Sequence, residues 1–94
     1  MNVRRITMDV DKAVQRPDLV DLAGAIDAVA GVSAFNITVG NIDIETVSMD
    51  ITVEGERLDV GAIVKAIENA GAAMHSIDEI VVGDHIVELV RRTR

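Results

Sequence analysis

Six stretches of patterned hydrophobicity run along this chain in the order strand, helix, strand, strand, helix, strand, and few folds accept that order. Ile6, Met8 and Val10 alternate with Arg5, Thr7 and Asp9. That period of two marks a strand with one buried face, expected over residues 3–10. Residues 11–16 are polar and read as a loop. Pro17 suits a first helical position, and Asp18 and Asp21 favour the positive end of a helix dipole. Leu19, Leu22, Ile26 and Val29 then share one helical stripe, with Gly31 as a natural stop. Phe35, Ile37 and Val39 alternate again. After a turn at residues 41–45, so do Val47, Met49, Ile51 and Val53. Two strands this close in sequence form a hairpin. Asp59 is a candidate N-cap for a second helix striped by Val60, Ile63, Val64 and Ile67, ending at Gly71. Residues 18–27 and 59–68 match faintly at a constant offset, as two equivalent capped helices would.

The last strand, residues 74–82, breaks the alternation. Ile77 and Ile80 are three apart, so a flat strand cannot bury both. A β-bulge near Asp78 and Glu79 would reconcile them; the alternative is a strand that ends early. Past Gly83, Ile86, Val87, Leu89 and Val90 make the tail apolar for a free end.

Right-handed crossovers on this element order give an α+β, ferredoxin-like two-layer sandwich. Two helices cover one face of a four-stranded antiparallel sheet in the order 4-1-3-2, leaving the second and fourth strands as edges. The 94 residues form a single domain, with residues 85–94 a tail available for assembly. The core must come from Val, Ile, Leu, Ala and Met, because Phe35 is the only aromatic residue. Large aromatics normally supply much of a core's buried area, so burial between subunits is a reasonable expectation. With no cysteine, disulfides, thiolate metal sites and cysteine nucleophiles are excluded, which fits a cytoplasmic location. Neither a signal peptide nor an apolar run of spanning length is evident. The net charge of −7 and the absence of Trp and Tyr argue against nucleic acid, because phosphate binding needs clustered Lys and Arg.

Chemistry-bearing residues are sparse. The turn Asn41-Ile42-Asp43-Ile44-Glu45-Thr46 places oxygen ligands at alternate positions like the start of a calcium loop. An EF-hand would need Gly at Thr46 and Glu at Thr52, so this is not one. The ferredoxin-like topology brings Asp9, Asp11, Asp43, Glu45 and His75 towards one end of the sheet. Gathered carboxylates repel unless neutralised, and no Arg lies in these segments. A hard cation, Ca2+ or Mg2+, held by Asp43 and Glu45 with Asp9 or Asp11, is one outcome; side chains splayed into water are the other. On the open sheet face, Arg5 should meet Asp50 or Glu54 across strands. His75 is expected as a hydrogen-bonded structural residue over the Phe35 side of the core. No nucleophile elbow, Walker loop or dinucleotide fingerprint is present.

Several segments together carry a family likeness. They are Val3-Arg4-Arg5 leading to Asp9-Val10, Asn36-Ile37-Thr38-Val39, the turn Ile42-Asp43-Ile44-Glu45-Thr46, Ile51-Thr52-Val53-Glu54-Gly55, and above all His75-Ser76-Ile77-Asp78-Glu79-Ile80-Val81. Through them the chain resembles the archaeal domain-of-unknown-function family 211 over nearly its whole length. The resemblance implies a ferredoxin-like subunit in a ring-shaped homo-oligomer from an archaeal cytoplasm, and it implies no activity. The chain departs from the family after Val10, where a Lys-Pro-His segment gives way to Asp11-Lys12-Ala13-Val14-Gln15. The expectation is therefore a non-enzymatic, self-assembling domain with a divalent cation at its acidic end. The alternative is a small-molecule-binding regulatory module, which rests on fold analogy.

Overall fold

A computed structural model describes residues 1–89; Val90, Arg91, Arg92 and Arg94 of the tail lie outside the described residues. The elements are β1 (Val3–Ala13), α1 (Leu19–Asp27), β2 (Val32–Ile42), β3 (Thr46–Gly55), α2 (Val60–Asn69) and β4 (Ala73–Val82). They form one antiparallel sheet in the order β2-β3-β1-β4, which is the expected order read from the other end. Both helices lie on one face, making the ferredoxin-like α+β sandwich.

The core is the helix-side row of the two central strands. Ile6, Met8 and Val10 of β1 face Val53, Ile51 and Met49 of β3, all at most 1% exposed. Leu22 and Ile26 of α1 and Ile63 and Ile67 of α2 close over them with no exposure. Each fully buried aliphatic side chain contributes about 1.5–3 kcal/mol, and together they account for a fold without aromatic filling. Phe35 is only half-buried at the margin of this cluster.

The faint internal repeat corresponds to a real equivalence. Asp18 Oδ1 accepts from the Asp21 N–H at 2.8 Å, and Asp59 Oδ1 accepts from the Ala62 N–H at 3.0 Å. Each capped helix then buries a pair of aliphatics at i and i+4. α2 ends in a Schellman motif: the Ala72 N–H donates to the Ile67 carbonyl and the Gly71 N–H to the Glu68 carbonyl, with Gly71 at φ +103°.

Several expectations change, among them the turn expected at residues 41–45, which starts later because β2 runs to Ile42. β1 does not end at Val10 but runs to Ala13, because β3 offers partners that far: Asp11 pairs with Ser48, Lys12 with Val47 and Ala13 with Thr46. Pro17 precedes the cap instead of opening the helix, since Asp18 is the N-cap. The bulge in β4 is present, with Thr7 paired to Glu79 and Met8 to Ile77, so Asp78 is the extra residue. It does turn Ile77 and Ile80 to the same, helix-facing side. Neither is buried, however: they remain 42% and 50% exposed because α2, which packs against β4, covers only part of that edge strand.

Candidate functional site

The acidic end of the sheet is less concentrated than the topology promised. Asp11 and Glu45 line one shallow concavity of about 470 Å³ together with Lys12 and Gly71. Asp11 Oδ1 accepts from the Ser48 hydroxyl at 3.0 Å. Asp43 Oδ1 accepts from the Ile44 N–H at 2.8 Å, inside its own turn. Asp9 faces His75, with Oδ2 3.7 Å from Nδ1. Among the described residues no group of three or more His, Asp or Glu side chains is gathered as a metal ion would need.

Lys12 is the residue that sequence reasoning missed here. It continues the helix-facing row of Ile6, Met8 and Val10 and is 8% exposed. Its ammonium donates to the Ala13 and Val14 carbonyls, each at 3.1 Å. A positive charge therefore already lies at the end of the sheet whose acidic segments hold no Arg. The signal is in the period of two, because Lys12 stands two residues beyond Val10, but the polar run 11–16 masks it by looking like a loop.

The open face is a hydrogen-bonded polar surface. Arg5 Nε pairs with Glu54 at 2.8 Å, and its Nη1 lies 3.7 Å from Glu79. The Thr7 hydroxyl lies 3.4 Å from that of Thr52 and donates to Glu79 at 3.3 Å. Asp78 accepts from the Ser76 hydroxyl at 2.8 Å, which leaves it at the bulge and out of the Arg5 network. His75 belongs to this side too: it is exposed on the edge strand away from Phe35, because β4 and β2 lie at opposite edges. Residues 86–89 of the tail pass beside Arg5 and Glu79. Exposed ion pairs of this kind are worth about 0–1 kcal/mol each, so the face neither adds much stability nor forms an enclosed site.

The edges are the most distinctive surfaces. On the helix side of β2, Phe35, Ile37 and Val39 stand opposite the buried Val53, Ile51 and Met49 of β3. Val39 is 38% exposed, and Leu19 and Val20 of α1 flank the row at 38% and 79%. On the helix side of β4, Met74, Ile77, Ile80 and Val82 pair with Val10, Met8, Ile6 and Val3. Each edge thus carries an apolar row that the helices leave partly uncovered. Among the described residues each also presents backbone N–H and C=O groups that no neighbouring strand takes up, a template for another strand.

Fold and surface together define a ferredoxin-like domain whose two sheet edges are apolar and, among the described residues, unpartnered. By sequence the chain belongs to the DUF211 family, described as "Uncharacterized ArCR, COG1888", which residues 4–94 match. A curated relative, "Uncharacterized protein MJ0319" of Methanocaldococcus jannaschii, is 40% identical over 89 residues, covering 95% of this chain and 91% of the relative. The family is of unknown function. No helix among the described residues is long and apolar enough to cross a membrane.

Proposed function

We propose that this chain is a non-enzymatic domain whose role is to assemble with copies of itself, in the ring form that the family resemblance implies. One observation carries the reading: both sheet edges leave an apolar row partly exposed, with Val39 of β2 at 38% and Ile77, Ile80 and Val82 of β4 at 42%, 50% and 42%. Contiguous exposed apolar surface of this kind marks an interaction site. The tail adds Ile86, Val87 and Leu89 at 41%, 76% and 80% exposure. Burying such side chains in a neighbour contributes roughly 1.5–3 kcal/mol apiece before ordering costs, which matters to a small domain of marginal stability.

Native mass measurement tests the reading directly. A particle of several subunits is expected, and removal of residues 86–94 should shift it to smaller species and lower its melting temperature. A monomer at high concentration overturns it.

A divalent cation belongs to this reading as a ligand shared between copies, since carboxylates from several chains would be needed where the described residues of one chain gather fewer than three. Calcium or magnesium should then raise the melting temperature of the assembled particle, and Asp43→Asn with Glu45→Gln should abolish the rise. Isothermal titration without heat for either ion, on an assembled sample, removes the cation from the account.

The alternative, a small-molecule-binding module, has one observation in its favour. An open concavity of about 780 Å³ lies between the start of α1 and the end of α2, lined by Gln15, Arg16, Asp21 and Asn69 among others. Its size suits a small ligand. A thermal shift with a metabolite panel, lost on Arg16→Ala, would favour this reading.

A further inference from the structure

Self-assembly through the sheet, the reading on which this inference rests, allows three pairings: β2 with β2, β4 with β4, or β2 of one copy with β4 of the next. The charge along each edge separates them. β2 is an 11-residue strand, Val-Ser-Ala-Phe-Asn-Ile-Thr-Val-Gly-Asn-Ile, without a single charged side chain. β4 carries Asp78 and Glu79 at its middle. An antiparallel strand that pairs with its own copy sets its middle against itself. Two β4 edges would therefore bring Asp78 and Glu79 against the same two carboxylates, and like charges opposite one another destabilise a strand pair. Two β2 edges meet no such conflict, but that contact leaves the β4 row of Ile77, Ile80 and Val82 uncovered.

We propose that the β2 edge of one copy pairs with the β4 edge of the next, so that the partner of both edges is a second copy of this chain, held head to tail. The acidic middle of β4 then lies beside the one strand that offers it no like charge. Strand direction agrees. β2 and β4 run in opposite senses, because β3 is antiparallel to both β1 and β2 while β4 is antiparallel to β1. Copies placed side by side with their helices on the same face therefore meet antiparallel. The helix-side row Phe35, Ile37 and Val39 abuts the row Met74, Ile77 and Ile80, and a single contact covers both. Such a contact is heterologous, and it closes into a ring or runs on as a filament according to its rotation.

The chain has no cysteine, so introduced thiols report without background. Thr38 and Ser76 lie on the open face in one row across the sheet, through Asp50 and Asp9. Within one chain, three strand spacings put them roughly 14 Å apart, beyond the reach of a shorter bis-maleimide. The double variant Thr38→Cys with Ser76→Cys should give a ladder of cross-linked multimers, and each single variant should stay uncross-linked. Asn36→Cys with Glu79→Cys, in the next row, repeats the test should either first site disturb folding. Cross-linked dimers from a β2 cysteine alone, or from a β4 cysteine alone, overturn the proposal in favour of a symmetric contact. An oligomeric native mass with no ladder from either pair overturns the edge pairing and leaves self-assembly standing. A monomeric native mass overturns both.

Discussion

β2 and β4 lie at opposite edges of one sheet, each above a helix, yet they expose their free sides differently. β2 keeps an unbroken register from Ala34 to Val39 and carries no charge. β4 is interrupted against β1 by extra residues at His75 and Asp78 and carries two adjacent carboxylates. Bulges and charges are the devices by which natural sheets keep an edge from recruiting strands indiscriminately. β4 has both, and the middle of β2 has neither. An undefended edge persists in a folded protein when something of the right shape covers it, and a defended edge with an apolar helix side accepts only a partner that tolerates its charges. The difference between the edges is thus a statement about specificity, made in backbone regularity and carboxylates.

Four experiments break or sharpen that contrast. The largest effect is expected where β2 enters the sheet. A Cβ at Gly55 would clash with the Gly31 carbonyl oxygen and lie 2.8 Å from Leu58 Cδ2. Gly55→Ala should therefore cost about 3 kcal/mol or more in urea unfolding, the range of strained or overpacked sites. A cost below about 1 kcal/mol would mean that β2 is not held there.

Next come matched charges on the two rows. Val39→Lys and Ile80→Lys each replace an aliphatic that is already 38% or 50% exposed. Each should reduce the native mass to smaller species and remove about 1–2 kcal/mol of assembled-state stability. A loss of assembly with only one of the two would show that the edges do not meet each other.

A smaller effect is expected at the exit from β4. Gly83 has φ +113° but open space where a Cβ would stand, and its N–H donates to the Asn2 carbonyl at 2.9 Å. Gly83→Ala should cost about 1–2 kcal/mol from conformation alone. Equality with Gly55→Ala would erase the difference between the two anchors.

The smallest effects are at the helix caps beneath the edges. Asp18→Ala under β2 and Asp59→Ala under β4 should each lower stability by about 1 kcal/mol, since both carboxylates accept the same i+3 backbone bond. A difference of more than about 1 kcal/mol between them would mean that the helices do not support their edges equally.

Much of this fold was legible because its signals are local. The clean alternation of Val47 to Val53 and the stripes led by Leu22 and Ile63 need only a period and a cap to be read. The β4 bulge was legible as well, since two isoleucines three apart leave a strand few choices. The candidate site was less so. Topology sends Asp9, Asp11, Asp43 and Glu45 towards one end, but three of the four side chains go to separate partners: Asp9 to His75, Asp11 to Ser48 and Asp43 to a turn N–H. Direction of approach is set by strand pairing and turn geometry, which residue types do not encode. Lys12 was lost for the same reason, because the length of β1 depends on how far β3 runs beside it.

The sequence by itself determined the element order, the helix caps, the aliphatic core and the absence of charge on β2, all of which follow from side-chain chemistry read at a period of two or nearly four. The tertiary structure alone decided that Ile77 and Ile80 stay half-exposed and that Lys12 is buried. Those outcomes depend on which strands pair and how far each helix reaches across them, and burial at an edge is fixed by what lies above it and not by the residue itself.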